Sequence, residues 1–200
     1  YCQASLGRCS KLATCTFVDG SIENANNCSC GFNTCTPSNG LFCQASHHTC
    51  THFQSPFTMM AGSNGCEIVD NYNCVQTINY PNDYANDRKC TIKVNKFGKL
   101  QVKDPFDVEY EASCAYDYLT VHEEKYCGTS APPYGKYIES NNVMEWKSDS
   151  VEAGKGFKIC YEPPLDHCNI TNGTLTNDNP CLCGRNDCEL SVGMYCQASI

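Results

Sequence analysis

Two hundred residues with nineteen cysteines read as a disulfide scaffold from an oxidising compartment, not as a reduced cytosolic protein. The formal net charge of -8 excludes the basic surface that nucleic-acid binding requires. No apolar run is long enough for a membrane-spanning helix, so no transmembrane segment is expected.

In chain order, residues 1–9 begin Tyr-Cys-Gln-Ala-Ser, and the same five residues return as Tyr195–Ser199, with a varied copy at Phe42–Ser46. Cys2 and Cys9 are seven residues apart, as are Cys43 and Cys50, so residues 1–9 match the tail of a cysteine module. Residues 10–53 are a complete module: Cys15, Cys28, Cys30, Cys35, Cys43 and Cys50 follow at intervals of 13, 2, 5, 8 and 7. Its apolar residues, Leu12, Phe17, Val18, Ile22, Phe32, Leu41 and Phe42, are too few to stabilise a small domain, so disulfides must do so. Six cysteines allow about fifteen pairings, and spacing does not choose among them.

Residues 54–65, Gln-Ser-Pro-Phe-Thr-Met-Met-Ala-Gly-Ser-Asn-Gly, read as a linker. From residue 66 to 163 a strand period takes over. Thr91–Val94, Lys99–Lys103, Phe106–Tyr110, Tyr118–Val121, Val143–Lys147 and Gly156–Tyr161 each alternate between two faces, which predicts a mainly β fold, a sandwich with one buried face per sheet. Residues 164–200 are a truncated second module, with Cys168, Cys181, Cys183, Cys188 and Cys196 at intervals of 13, 2, 5 and 8. Superposing the two ends gives a period of 194 residues containing eighteen cysteines. This predicts one unit of a longer repeating polypeptide, or a subunit whose ends join those of neighbouring copies head to tail. The alternative is an ordinary chain that stops within a module.

The middle of the chain resembles the CUB family. Cys66, Asn79–Tyr84, Cys90-Thr-Ile, Cys114-Ala-Tyr-Asp-Tyr-Leu-Thr-Val121, Tyr126-Cys-Gly128, Trp146–Asp149 and Gly156-Phe157 follow in the family's order. The resemblance implies a jelly-roll-like β-sandwich with disulfides Cys66–Cys90 and Cys114–Cys127. Cys74 and Cys160 are extra to that pattern; by elimination they pair with each other, the alternative being that either bonds outside the domain. The flanking modules resemble cysteine repeats of predicted algal and protist surface proteins, a resemblance that carries no function.

Many members of the family hold calcium, and the matching positions here are Glu109, Asp117 and Asp149. Calcium takes hard oxygen ligands, and three crowded carboxylates without a cation would repel one another. Tyr84 is expected to orient one carboxylate. The resemblance also implies that a partner's Lys or Arg docks on the same residues, so Tyr84, Glu109, Asp117 and Asp149 form the expected partner-binding surface.

His47, His48, Cys50 and His52 invite a zinc reading, but Cys50 matches a disulfide position and surface histidines are expected. Trp146, Tyr116 and Tyr118 are candidates to stack on sugar rings, with packing in the sandwich preferred. Asn27, Asn169 and Asn172 fit the N-glycosylation pattern and are expected to carry N-linked glycans, the last two too close for both to be fully occupied. No arrangement of nucleophile and base, metalloprotease motif or paired catalytic carboxylates is present, so no catalytic residue and no enzymatic activity are expected. The leading expectation is a secreted or cell-surface structural or adhesive repeat protein, with calcium and disulfides serving contacts between units of a filament or surface assembly. The alternatives are a secreted adaptor binding a protein or glycan, and the non-catalytic part of a larger secreted enzyme.

Overall fold

The computed structural model describes residues 12–189 and 193–197, and the backbone pairing of β1 (Cys2–Gln3) with β2 (Arg8–Cys9). Bonds formed by Cys2 and Cys9, and the structure of Ser199, lie outside the described residues. The chain divides into two units, Tyr1–Tyr161 and Glu162–Ile200.

In the first module, β3 (Cys28–Cys30) pairs with β4 (Asn33–Cys35), and β5 (Phe42–Gln44) pairs with β6 (Thr49–Thr51). The core between these hairpins is sulfur: Cys15, Cys28, Cys30, Cys35 and Cys43 are buried together, while Phe17, Val18, Ile22 and Phe32 are exposed. The bonds are Cys15–Cys28, Cys30–Cys43 and Cys35–Cys50, one of the fifteen possibilities. Asn24, buried, fills the place of a core hydrophobe. Its amide nitrogen donates to Phe17 O (2.8 Å) and Leu41 O (3.0 Å), and its oxygen accepts from Phe17 N–H (3.0 Å). One side chain thus satisfies backbone groups of two loops that no sheet could pair.

The sandwich consists of β7 (Phe57–Met59), β8 (Cys66–Val69), β9 (Cys74–Thr77), β10 (Lys89–Val94), β11 (Gly98–Asp107), β12 (Tyr118–Val121), β13 (Glu124–Tyr126), β14 (Tyr137–Ile138), β15 (Val143–Lys147) and β16 (Gly156–Glu162). One sheet has the order β13-β12-β15-β10-β7, the other β14-β11-β16-β9-β8. Alternation places Ile92, Val94, Leu119, Val121, Met144 and Trp146 of the first sheet in one core with Val75, Leu100, Phe106, Phe157 and Ile159 of the second. Each such fully buried large side chain contributes about 1.5–3 kcal/mol.

Two sequence expectations change here. The segment 54–65 is not only a linker: β7 lies within it, pairs antiparallel with β10 and buries Phe57 in the core. A three-residue strand is too short for its period to show among turn residues. Likewise Phe106–Tyr110 is not a separate strand. Phe106 and Asp107 end the long β11, and Val108 then bridges Gly128. Cys66–Cys90 joins β8 to β10 across the two sheets, and Cys74–Cys160 joins directly opposed residues of β9 and β16. Cys114–Cys127 ties the loop before β12 to the end of β13.

In the second unit β17 (Cys181–Cys183) pairs with β18 (Asn186–Cys188) in the register of β3 and β4. Cys168–Cys181 and Cys183–Cys196 match the first two bonds of the complete module. Asn177 repeats the role of Asn24, donating to Ile170 O (3.0 Å) and Met194 O (3.2 Å) and accepting from Ile170 N–H (2.9 Å).

Candidate metal centre

Three chain turns deliver acidic side chains to one end of the sandwich. Glu109 follows β11 just after the Val108–Gly128 bridge. Asp117 precedes β12 and Asp149 follows β15, and because Tyr118 is paired with Lys147 in the antiparallel ladder, both acids leave the sheet at the same end. The Asp117 loop is held by Cys114–Cys127 and by Glu111, whose carboxylate accepts from Ser113 N–H (2.8 Å) and Ala115 N–H (3.1 Å). The Ser113 hydroxyl, which also donates to this carboxylate, and then these backbone donors hold the Glu111 carboxyl below its ordinary pKa.

One carboxylate oxygen each from Glu109, Asp117 and Asp149 lies within 4.8 Å of the others. Asp117 is the centre of the cluster and is 1% exposed. Its Oδ2 accepts from the Tyr84 hydroxyl at 2.6 Å, and its Oδ1 accepts from Asp149 N–H at 2.6 Å. The Tyr84 oxygen in turn accepts from Glu109 N–H at 3.1 Å, so one phenol bridges two of the three acidic positions. Asp149 Oδ1 accepts from Val151 N–H at 2.9 Å, which closes its own turn. Glu109 Oε2 is buried and has no hydrogen-bond partner.

The electrostatics follow from this crowding. Burial raises the Asp117 carboxyl pKa, and the Tyr84 and Asp149 donors only partly counter it. Glu109 is raised by desolvation and by the negative charges of Asp117, Asp149 and Glu152. Burial, then the bond to Asp117, raises the Tyr84 hydroxyl, which remains a neutral donor at physiological pH. An unpartnered buried carboxylate oxygen beside two further carboxylates is costly unless a cation meets it, and this set of hard oxygens fits calcium.

All four residues named from the sequence meet at this site. Sequence reading missed the surroundings. An open groove of about 290 Å³ runs beside Glu109, lined by Asp107, Tyr110, Gly128 and Glu152 among others. Tyr110 is largely exposed at its rim. Asp107 and Glu152 add negative charge, and as lone acids in loop-flanking positions they carry no sequence signal. Ser148, which the sequence names only as part of the Trp146–Asp149 motif, has a tying role there. Its hydroxyl donates to Ala85 O (3.1 Å) and accepts from Arg88 N–H (3.0 Å), tying the Asp149 turn to the Tyr84 loop.

The other candidates lie elsewhere. Cys50 is disulfide-bonded, and the histidines at 47, 48 and 52 enter no metal-like cluster among the described residues. Trp146 is a core residue, edge-on to Tyr84 (4.9 Å) and Phe157 (5.5 Å), so it offers no ring face to a sugar. Tyr118 faces Lys125 Nζ at 3.8 Å, and Tyr116 is exposed. Asn27, Asn169 and Asn172 are all exposed.

The family description "CUB domain" matches residues 64–161, the span of the sandwich from before β8 to within β16. Residues 64–161 are a CUB domain. The match leaves the flanking cysteine modules unassigned. Human cubilin is 31% identical over 110 residues, which is 48% of this chain and 3% of cubilin. Bone morphogenetic protein 1 of Xenopus laevis is 26% identical over 132 residues, 60% of this chain and 18% of that protein. Dorsal-ventral patterning protein tolloid of Drosophila melanogaster is 26% identical over 162 residues, 74% of this chain and 14% of that protein. The chain therefore spans less than a fifth of these relatives' length. A solved CUB1-EGF-CUB2 structure of human MASP-1/3 aligns at 20% identity and a TM-score of 0.36, covering 52% of this chain and 49% of that one. The disulfides and the CUB domain together suggest an extracellular protein.

Proposed function

We propose that the CUB domain is a calcium-dependent, non-catalytic docking module of an extracellular adhesive or structural protein, and that it captures a Lys or Arg side chain of a protein partner. The observation that carries this reading is the buried, unpartnered Glu109 Oε2 in a cluster with Asp117 and Asp149. Glu109, Asp117 and Asp149 would hold the ion. Calcium would fix the carboxylates in their ionised form, leaving outward lone pairs for a charge-assisted hydrogen bond from a basic group. The acidic groove with Glu152 and Asp107 supports a cationic partner, and exposed Tyr110 offers a surface for its aliphatic stem. N-linked glycans at the exposed sequons belong to the same extracellular setting.

The test is titration of the purified protein with calcium by calorimetry, followed by binding to immobilised peptides centred on Lys or on norleucine. Calcium uptake by wild type but not by Asp117→Ala, with capture of the Lys peptide alone and its release by chelator, is expected. Equal capture of both peptides, or capture indifferent to chelator, overturns the reading. A filament or surface assembly built from repeats is a second reading, favoured by the module whose bonds from Asn24 to Phe17 and Leu41 recur at the same spacing from Asn177 to Ile170 and Met194.

A further inference from the structure

The chain's formal net charge of -8 conceals one face of the opposite sign. It is the solvent side of the sheet β13-β12-β15-β10-β7, whose other side carries Ile92, Leu119, Met144 and Trp146 into the core. Strand alternation places Lys89 and Lys93 of β10, Glu145 and Lys147 of β15, Tyr118 of β12 and Lys125 of β13 on that solvent side. Lys89, Lys125 and Lys147 are exposed and Lys93 is half-buried. Four lysines thus share a face with one glutamate. The acids of the calcium cluster leave the sheet at its end, beyond the row of Tyr118 and Lys147.

Register arranges these charges. Lys89 lies directly opposite Lys147, and Lys147 directly opposite Tyr118, so two lysines and a ring form one row across three strands. Lys125 Nζ stands 3.8 Å from the centroid of the same ring and Lys147 Nζ 5.9 Å from it. Lys125 also donates to Cys114 O at 3.3 Å. Like charges directly opposite each other destabilise a sheet, and here no acid stands between them. Among the described residues no ion pair reaches any of the four lysines; the pairs Lys136–Glu124 and Lys158–Asp70 lie off this face. The Tyr118 ring restrains two of the ammonium groups in advance, so less side-chain freedom is lost when an anion binds. The charges are also spread out rather than gathered in a cleft. Lys89 and Lys93 are about 13 Å apart along β10, and the distance from β10 across to β13 is about 14 Å.

We propose that this face binds an anionic polysaccharide, with Lys89, Lys93, Lys125 and Lys147 meeting its sulfate or carboxylate groups. An extended polymer with acids at intervals can span charges spaced this widely, which a single small anion cannot. An acid lying over the Lys89–Lys147 pair replaces their repulsion with two charge-assisted hydrogen bonds. Among polyanions, polysaccharide fits the oxidising, extracellular setting of the disulfides, whereas the anionic cytoplasmic leaflet and most nucleic acid belong to reducing compartments. Lysine meets each acid as a point charge on a flexible stem, so binding is set by charge density and weakens with salt. No calcium is needed, so this site stands or falls separately from the docking function.

The experiment passes the protein, in chelator, over immobilised dextran sulfate, polygalacturonate and uncharged dextran, with elution by a salt gradient. Retention on at least one acidic support and none on dextran is expected, and the support that needs more salt identifies the acid group. Lys89→Gln/Lys147→Gln should bind at least about tenfold more weakly, two charge-assisted contacts being lost. Because it removes a repulsive pair, that variant should melt no lower than wild type. Lys89→Arg/Lys147→Arg should keep the retention. Lys103→Gln/Lys158→Gln, in β11 and β16 of the other sheet, removes the same charge from the chain but none from this face and should elute with wild type. Absence of retention on both acidic supports, or equal elution of the two Gln variants, overturns the proposal. So does tighter binding of wild type to single-stranded DNA or to phosphatidylserine vesicles than to either polysaccharide.

Discussion

The Tyr84 hydroxyl donates to Asp117 Oδ2 over 2.6 Å and accepts from Glu109 N–H over 3.1 Å, so one phenol bridges two of the acidic positions. Tyr84→Phe keeps the edge-on contact with Trp146 and removes only this bridge. A hydrogen bond to a charged group is worth about 1.5–3 kcal/mol. Calcium affinity should therefore fall at least about tenfold, and the calcium-free melting temperature should fall as well, because Asp117 Oδ2 and Glu109 N–H both lose a partner; calorimetry and thermal unfolding read the two together. An unchanged affinity would show that backbone geometry alone positions Asp117.

Asp117→Ala removes the carboxylate that Tyr84 and the Asp149 amide both hold. Wild-type protein at a calcium concentration about a hundred times its dissociation constant should gain roughly 2.7 kcal/mol over the chelated form. The variant should melt at the same temperature in calcium and in chelator. If wild type itself shows no difference between the two buffers, there is no calcium site.

The pH dependence of the calcium-free protein should have an unusual sign. Asp117 and Glu109 both have raised pKa values in the folded state, chiefly through burial. A raised carboxyl contributes stability that is fully present below its ordinary, unfolded value and is lost as pH rises through the folded value. Relative to Asp117→Asn, chelated wild type should therefore gain stability on acidification through that window. Calcium reverses the trend, because the ion requires the ionised carboxylates and protons compete with it. Thermal unfolding across a pH series, in chelator and in calcium, gives the two profiles; parallel profiles would contradict the assignment.

Asn24 and Asn177 make equivalent bonds in the two modules, so their replacement should have equivalent consequences. Asn24→Ala strands the Phe17 amide and carbonyl and weakens satisfaction of Leu41 O. At about 1–3 kcal/mol for a buried group left unsatisfied, the first module should lose a few kcal/mol despite its three disulfides. Hydrogen exchange should reveal it as faster exchange in β3–β6 with the sandwich unaffected. Uniform exchange across unit 1 would mean that the module does not open by itself.

Much of the molecule is written locally. Lys89–Val94 and Val143–Lys147 alternate inward and outward because a strand's side chains change face at every residue, and this period survives without any knowledge of the partner strand. The module repeat is equally local, since identical cysteine spacing gives identical hairpin register in β3–β4 and β17–β18. The acidic trio was legible only through the resemblance of its motifs, not through spacing.

Tertiary structure decided the rest. Which cysteines of a module bond depends on which hairpins stack, and β7 is a strand because β10 presents an edge to it. Tyr84 and Asp117 meet across 33 residues of chain, and Glu152 turns toward Glu109 from a third loop. From the sequence alone came the class of the chain: an oxidised β-protein with two copies of one cysteine module around a sandwich. Its pairings and its charge cluster came from folding, because a local pattern encodes which face a side chain takes, whereas contacts between distant segments arise only when the buried faces of both sheets have met.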